Sequence, residues 1–249
     1  VFCLEEDILT SMEDGDDPSW DQCMMSNERD EWKTAAWSEY DTFERFEVFE
    51  LLAADCVPCD EDIYDMMLVC KIKRGKANVI VKKKVRCVLC GNQMVASAKK
   101  GLSKTTVDMR THAPACRSSS LKCAFAVGVL DAMRQRCFDV EGAYLQGVYV
   151  DRRVIARAPA IYRKYDERGV EMVWLLKRAV YGGPDAGRLW YNTYAHYLLK
   201  EEAQTPFTRC HFEPCGFTHF CSPYVVSETP TKVVYAPASA IPERILCLI

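Results

Sequence analysis

The chain has 249 residues, 49% of them hydrophobic, and a formal net charge of −3, enough to bury a core in one large domain or two small ones. It contains no run of about 18 apolar residues and no basic-then-apolar leader, which excludes a hydropathy-predicted transmembrane helix and a recognisable signal peptide. Fourteen scattered cysteines without such a signal indicate reduced thiols in an intracellular protein. Because the chain starts at Val1 and stops in an apolar tail, we expect a fragment of a longer reading frame.

The charges are unevenly distributed along the chain. Eleven acidic residues and one arginine lie between Glu5 and Glu31, whereas eleven basic residues and no acidic residue lie between Lys71 and Lys104. We expect residues 1–31 to form an acidic, disordered lead. The basic stretch has the charge needed to face phosphates.

Apolar periodicity and turn residues predict the elements in chain order. Trp32, Ala36, Tyr40 and Phe43 recur at helical spacing, and two basic strands on either side of Gly75 form a hairpin. The predicted helices are residues 31–52, 118–134 and 185–200, and the predicted strands are residues 66–73, 78–89, 136–145, 173–181 and 215–220. Four prolines interrupt the pattern after residue 221, so residues 222–249 form a tail without a predicted fold.

The basic strand of residues 82–91 is the first segment with a chemical signature. Side chains alternate along a strand, so Lys84 and Arg86 project to the same face. Two cations on a hairpin suit a triphosphate or a nucleic-acid backbone. Lysines are also common on solvated edge strands, and composition by itself favours that interpretation.

A second candidate is Asp139, an acidic residue within a predicted apolar strand. A carboxylate in apolar surroundings is costly unless it is paired or binds a cation. Mg²⁺ takes one or two carboxylates together with phosphate oxygens. The alternative is an aspartate at the exposed end of a strand, which is the commoner case for an isolated residue.

The third segment, residues 175–191, combines a strand, a glycine turn and an aromatic-rich helix. Glycine at the turn lets the backbone approach a ligand closely. An ordinary strand-to-helix connection has the same pattern, so this segment by itself assigns no function.

In their order and spacing, these segments resemble the reverse transcriptase domain of copia-type retrotransposons. That family carries K-A-R-L-V-A-x-G, T-x-x-P-V, D-V-x-x-A-[FY]-L-x-G and L-x-[KR]-[AS]-L-Y-G-L-K-Q-A-P-R-x-W. The matching segments here are residues 84–91, 111–115, 139–147 and 176–190, preceded by residues 31–39 and followed by residues 213–217. Six ordered matches are far more specific than any one of them.

The resemblance implies an α+β fold, with the fingers and part of the palm of a right-hand polymerase across residues 32–221 and an antiparallel sheet packed against helices. It implies RNA-directed DNA synthesis by two-metal nucleotidyl transfer with Mg²⁺. The implied partners are an RNA template, a DNA primer, a deoxynucleoside triphosphate and the rest of a Pol polyprotein. The implied location is a cytoplasmic virus-like particle or the nucleus, and no membrane is involved.

Individual residues take roles from the same resemblance. Asp139 matches the first metal-binding aspartate, and Val140 would give its backbone carbonyl to the second metal. Tyr144, next to Ala143, matches the aromatic residue beneath the incoming sugar. The remaining assignments are nucleotide binding by Lys84, Arg86, Ala143, Gly182 and Asp185, and nucleic-acid binding by Lys82, Lys83 and Arg188.

The chain departs from the family at three places, one of which is Cys87 and Cys90 in place of an aliphatic and a basic or small residue. Residues 183–187 replace L-K-Q-A-P and lack its lysine and glutamine. No adjacent aspartate pair follows Asp185, and the nearest echo of the family's Y-x-D-D has Pro237 and Ala238 in the aspartate positions. One carboxylate cannot anchor two metals, so we predict that this chain alone does not polymerise.

Two other functions stay open at the level of sequence. A non-catalytic nucleic-acid-binding remnant would keep the basic hairpin without the chemistry. A zinc-binding module is the less favoured one: Cys56-x-x-Cys59 and Cys87-x-x-Cys90 have the spacing of a zinc ribbon. However, the second pair falls on the strand that matches the fingers, and chance pairs are common among fourteen cysteines.

Overall fold

The computed structural model describes residues 16–99, 111–130, 139–147, 152–199, 207–220, 225–229, 232–235 and 244–248, and these form an α+β fold. The helices are α1 (Trp20–Met25), α2 (Arg29–Arg45), α3 (Gly91–Lys99), α4 (Ser118–Leu130) and α5 (Ala186–Leu199). The strands are β1 (Phe49–Ala53), β2 (Ile63–Arg74), β3 (Ile80–Leu89), β4 (Val154–Arg157), β5 (Lys164–Tyr165), β6 (Glu171–Leu176), β7 (Thr208–Arg209), β8 (Gly216–Phe220), β9 (Val225–Thr229), β10 (Lys232–Tyr235) and β11 (Arg244–Leu248).

The chain divides into two compact units. The first comprises Val1–Thr111 and Gly142–Trp190, and the second comprises His112–Glu141 and Tyr191–Ile249. Helix α5 begins in the first unit and continues into the second. In the described ranges, no helix is both long enough and apolar enough to cross a membrane.

A mixed sheet forms the centre of the first unit. Its strand order is β1-β6-β4-β2-β3, with β5 paired to β6. The neighbours are antiparallel except for β2 and β4, which are parallel. The structure therefore confirms the α+β class and departs from the expected antiparallel sheet at one pairing.

Helix α2 packs its apolar stripe against this sheet. The buried residues of the helix are Trp32, Ala36, Tyr40 and Phe43. They recur every three or four residues, as the sequence predicts for one face of a helix. Trp174 of β6 lies opposite them and stacks on Phe49 with the ring centroids 4.1 Å apart.

The prediction that this helix continues to Leu52 is wrong. Helix α2 ends at Arg45, and Glu47 has a positive φ of 50°. Strand β1 then pairs along its whole length with β6, from Phe49↔Leu176 to Ala53↔Met172. Strand pairing and the stacking of Phe49 override the helical periodicity at this point.

The predicted basic hairpin is confirmed. Strands β2 and β3 pair from Met66↔Leu89 to Lys73↔Lys82, and Gly75 begins the connection between them. On the core side of the hairpin the buried residues include Leu68, Cys70, Val85 and Cys87. Strand β3 lies at the edge of the sheet.

The end of the predicted acidic lead differs from the expectation of disorder, because helix α1 forms there. Ser19 and Gln22 make a reciprocal capping box at its start, which satisfies two backbone N–H groups. Cys23 of this helix is 1% exposed and joins the core of the first unit.

The second unit is built from α4, most of α5 and short strands. Its buried core residues are Tyr191, Ala195, Leu198, Cys215 and Phe217. Strand β8 pairs with both β7 and β11, and β9 and β10 form a separate pair. The Glu213 carboxylate accepts hydrogen bonds from the N–H groups of Arg117 at 3.3 Å and Cys215 at 3.2 Å. This residue thereby ties the start of α4 to the segment before β8.

Candidate functional site

The basic strand and the glycine turn contact each other through their backbones. The N–H of Leu89, at the end of β3, donates to the carbonyl of Tyr181 at 2.8 Å. A Cβ on Gly91 would lie 2.1 Å from the carbonyl oxygen of Gly182, and one on Gly182 would lie 2.2 Å from that of Leu89. Side chains cannot occupy that space, and Gly182 also has a φ of 81°. Two segments that carry the resemblance are therefore held side by side.

The segment that follows the candidate aspartate contacts the same turn. It forms one turn of 3-10 helix, Ala143–Gln146. The Tyr144 ring meets the Tyr181 ring edge-on, with the centroids 5.6 Å apart. The carbonyl of Gly147 accepts a hydrogen bond from the N–H of Ala179 at 2.7 Å. All three segments with a chemical signature thus meet at Tyr181.

The strand predicted over residues 136–145 is wrong where the structure describes it. Residues 139 and 140 lie in no regular element, and Gly142 adopts the left-handed conformation with a φ of 58°. A Cβ on Gly142 would lie 2.8 Å from the Phe46 ring, so close packing on that ring turns the chain. The apolar pattern of residues 136–145 predicts a strand, but it carries no information about the contact with Phe46, which is distant in the sequence. The strand predicted over residues 173–181 likewise ends at Leu176.

Arg86 and Lys84 lie beside the point where the three segments meet. The Arg86 guanidinium is 5.0 Å from the centroid of the Tyr181 ring, within the range of a cation–π contact. Burial, followed by repulsion from Arg86, Lys73 and Lys82, lowers the pKa of Lys84. Neighbouring cations disfavour the charged form of Lys84, and a bound anion would stabilise that form by offsetting their repulsion.

Glu39 of α2 supports the same strand from its open edge. Its carboxylate accepts a hydrogen bond from the N–H of Cys87 at 3.3 Å. Burial raises the pKa of Glu39, although that hydrogen bond and the charges of Lys84 and Arg86 act in the opposite direction. Glu39 and the Tyr181 carbonyl thus satisfy two N–H groups at the edge of β3.

The neighbouring lysines of β3 differ in their surroundings. Lys83 lies on the core side, where its ammonium is 2.9 Å from the Glu28 carboxylate and 2.6 Å from that of Glu31. Its side chain is 8% exposed, so its charge is compensated within the chain. Lys82 and Lys84 lie on the outer side, where Lys82 is exposed and Lys84 is half-buried.

Asp185 supports the glycine turn from inside the first unit. It is buried and paired with the guanidinium of Arg152. Burial raises the pKa of Asp185, while the charge of Arg152 opposes the shift. Gly182 is exposed, and Arg188 is half-buried in the first turn of α5.

Asp139 is exposed and Val140 is half-buried, and both belong to the second unit. Within the described ranges, no group of three or more His, Cys, Asp or Glu residues is placed to hold a metal ion. The sequence contains no aspartate after Asp185, and Pro237 and Ala238 lie outside the described residues. A two-metal centre needs several oxygen ligands in one place, and the residues that the structure describes bring no such set together.

The two C-x-x-C pairs differ in burial. Cys56 and Cys59 are exposed, Cys87 is buried and Cys90 is half-buried. Burial raises the pKa of Cys87 and disfavours the thiolate that zinc requires. The zinc-binding alternative therefore gains no support from the described part of the chain.

Three residues outside the sequence assignments complete the site: Tyr181, Glu39 and Arg152. Tyr181 and Glu39 lie in segments that carry the resemblance, so their position in the family pattern was the signal that could have found them. Arg152 had no such signal, because its partner Asp185 is 33 positions away in the sequence.

A family model described as reverse transcriptase (RNA-dependent DNA polymerase) matches residues 49–211. The retrovirus-related Pol polyproteins from transposons RE2 and RE1 of Arabidopsis thaliana are each 32% identical to the chain over 89 residues. These alignments cover 36% of the chain, which spans about 6% of the length of either relative. No solved structure matches. The family match extends over more than half of the chain and confirms the resemblance drawn from its motifs: the chain belongs to the reverse transcriptase (RNA-dependent DNA polymerase) family.

Proposed function

We propose that the chain contributes the fingers and the start of the palm of a copia-type retrotransposon reverse transcriptase, within a longer Pol polyprotein that carries out RNA-directed DNA synthesis. The observation that carries the proposal is the meeting of three separated segments at Tyr181. Ligand sites combine backbone and side-chain polar groups that converge on one place, and this surface brings the Arg86 guanidinium, the exposed Tyr144 and the Gly182 turn together at Tyr181. If residues 82–91 were only a solvated edge strand, there would be no reason for the other two segments to meet it.

In this proposal, the surface around Tyr181 receives a deoxynucleoside triphosphate. Lys84 and Arg86 contact its phosphates, because clustered cations are stabilised by an anion. Tyr144, which is 38% exposed, and Ala143 lie beneath the sugar. The exposed Gly182 lets the backbone approach the nucleotide, and Asp185 acts through the turn that it supports.

The RNA template and the DNA primer are the proposed partners of the neighbouring cations. Lys82 and Arg188 contact their sugar-phosphate backbones, and Lys84 and Arg86 do so as well when no nucleotide is bound. Lys83 contributes less in this proposal, because its ammonium is already held by Glu28 and Glu31.

For the chain in isolation, the proposal assigns binding and not polymerisation. The family's chemistry uses Mg²⁺ ions held by several carboxylates. By resemblance, this chain offers Asp139 and the backbone carbonyl of Val140 to such a centre, and they do not suffice for it. Non-catalytic nucleic-acid binding is therefore its proposed activity when it is alone.

Salt-dependent binding tests this proposal. The purified chain is titrated with a fluorescent RNA–DNA primer–template at several salt concentrations and compared with a Lys82→Gln, Lys84→Gln, Arg86→Gln variant. Each lost phosphate contact lowers the slope of log affinity against log salt by about 1, so we expect a total decrease of about 3. Affinity at low salt should fall at least about tenfold.

A matched variant controls for net charge. Arg153→Gln, Arg163→Gln and Arg168→Gln remove the same charge from other exposed positions of the first unit. This variant should keep the salt slope of the parent chain. Equal losses in both variants, or no salt-dependent binding by the parent chain, would contradict the proposal.

A further inference from the structure

The outer face of the β2–β3 hairpin carries like charges in direct opposition. Lys71 lies opposite Lys84, and Lys73 lies opposite Lys82. Residues directly opposite in antiparallel strands project to the same side, where like charges are destabilising. Arg86 continues this row on β3. These five residues define the outer basic face, and their mutual repulsion favours an anionic partner.

The two sides of the hairpin differ in charge compensation. On the core side, Lys83 is held between two glutamates. On the outer basic face, the ion pair found among the described residues joins Lys71 to Asp17, with Nζ and Oδ1 3.9 Å apart. Burial, followed by repulsion from the neighbouring cations, lowers the pKa of Lys84. Glu39 also attracts Lys84 and Arg86, so the charge of this face is compensated less completely than that of Lys83 and can attract further anions.

Asp16, which directly follows residues 1–15, is attached to the hairpin. The carbonyl of Asp16 accepts a hydrogen bond from the N–H of Ile72 at 2.8 Å, and its carboxylate lies 2.8 Å from Nε of Arg74. Asp16 is 6% exposed, so this attachment is part of the folded structure. It fixes where residues 1–15 join the described part of the chain, at the edge of β2 beside the outer basic face.

Residues 1–15 have the charge and the length to occupy that face. They contain no lysine or arginine, and their acidic residues are Glu5, Glu6, Asp7, Glu13 and Asp14. From Lys82 to Arg86 the face extends about 14 Å along β3. An extended chain advances about 3.3 Å per residue, so fifteen residues can cover that distance several times over.

We propose that residues 1–15 dock in cis on the outer basic face and compete there with nucleic-acid phosphates. A short tether gives the acidic segment an effective concentration in the millimolar range. The segment would therefore suppress weak, non-specific polyanion binding and be displaced by a tightly bound ligand. The docking follows from the attachment and the charges, and it rests on the proposed function only in naming nucleic acid as the competitor.

Zero-length carbodiimide crosslinking of the full chain tests the docking itself. The reagent joins carboxylates to lysine amines that they contact, and mass spectrometry maps the products. We expect crosslinks from the five acidic residues of 1–15 to Lys73, Lys82 and Lys84, and we expect them to disappear at high salt. Crosslinks from these residues mainly to other lysines such as Lys122 and Lys177, or no crosslinks, would overturn the inference.

Charge neutralisation tests the competition. One variant carries Glu5→Gln, Glu6→Gln, Asp7→Asn, Glu13→Gln and Asp14→Asn. The control removes five exposed acidic residues elsewhere in the first unit, by Asp41→Asn, Glu44→Gln, Glu47→Gln, Asp60→Asn and Glu167→Gln. At low salt, the first variant should bind a single-stranded oligonucleotide about tenfold more tightly than the control does.

Equal oligonucleotide affinities of the two variants would overturn the proposal that residues 1–15 compete with nucleic acid. The two experiments also separate this inference from the proposed function. If the parent chain does not bind nucleic acid but forms the expected crosslinks, the proposed function fails and the docking stands.

Discussion

At the scale of single residues, Gly182 determines how closely the turn approaches β3. Gly182 and Gly169 have nearly equal φ values of 81° and 78°. A Cβ on Gly182 would lie 2.2 Å from the Leu89 oxygen, whereas nothing lies within 4 Å of one on Gly169. The two glycines therefore separate backbone strain from steric overlap.

We expect Gly169→Ala to lower the free energy of unfolding by about 1–2 kcal/mol, because alanine is strained at positive φ. Gly182→Ala should cost about 1–3 kcal/mol more, because the new methyl group also overlaps the backbone of β3. Urea unfolding monitored by circular dichroism measures both values. Equal losses would mean that the turn does not press against β3.

Glu39 gives the site a pH-dependent stability. Its pKa in the folded chain is raised above its ordinary value of 4.5, mainly by burial. The folded state therefore holds a proton more readily than the unfolded state does. The stability that this group contributes is present below pH 4.5 and is lost as the pH rises through the raised pKa.

The variant Glu39→Gln keeps an acceptor for the N–H of Cys87 but cannot ionise. Its free energy of unfolding, relative to that of the parent chain, should increase between about pH 4 and pH 7. Urea unfolding across this range measures the trend. Asp41→Asn, at an exposed position of the same helix, is the matched control. A similar trend in the control, or a decrease for Glu39→Gln, would contradict the assignment.

At the scale of elements, one ion pair connects the start of α5 to the segment before β4. The Arg152 and Asp185 side chains are 12% and 9% exposed. The neighbouring Arg153 is 48% exposed and pairs with Glu61 at 3.2 Å. Adjacent arginines thus provide a buried and an exposed ion pair in the same segment.

Arg152→Met should lower the free energy of unfolding by about 3–5 kcal/mol, because it leaves the Asp185 carboxylate buried without this partner. Arg153→Met should cost less than about 1 kcal/mol, since exposed pairs contribute little. Adding Asp185→Asn to Arg152→Met should restore part of the loss. Small and equal losses for the two arginines would show that the buried pair does not hold the turn.

Elements that depend on local pattern were predictable, and elements that depend on distant contacts were not. The stripe of α2, the basic hairpin and α5 follow from side-chain spacing along a short segment. The end of α2 depends on the stacking of Phe49 on Trp174, and the turn at Gly142 depends on Phe46. No local pattern contains these partners.

The same distinction applies to the candidate site. Arg86 and Tyr144 could be selected from the sequence, because they match positions in the motifs of the family that the chain resembles. Their meeting at Tyr181 could not be predicted from periodicity, because it requires the fold. The pairing of Arg152 with Asp185 likewise becomes visible once the turn is formed.

At the scale of the whole molecule, acidic and basic residues occupy separate segments of the sequence, and the fold brings some of them into contact at the β2–β3 hairpin. The net charge of −3 conceals the acidic segment between Glu5 and Glu31, in which Asp16, Asp17, Glu28 and Glu31 contact the basic hairpin. Electrostatic attraction of this kind weakens with salt. Both the proposed nucleic-acid binding and the proposed competition in cis therefore depend on ionic strength.

A chain can belong to a polymerase family without performing the family's reaction. The chain has the family's motifs and a surface where they meet, whereas its sequence offers no aspartate after Asp185. Losing metal-held stabilisation of the transition state costs several kcal/mol of barrier. Binding and synthesis should therefore be separable in this chain.

Primer extension is the most direct test of that claim. The purified chain and its Asp139→Ala variant are incubated with an RNA template, a DNA primer, deoxynucleoside triphosphates and Mg²⁺, and bound primer–template is measured in the same samples. We expect primer–template binding by the parent chain and no template-dependent incorporation above the level of Asp139→Ala. Incorporation by the parent chain that Asp139→Ala abolishes would contradict the account.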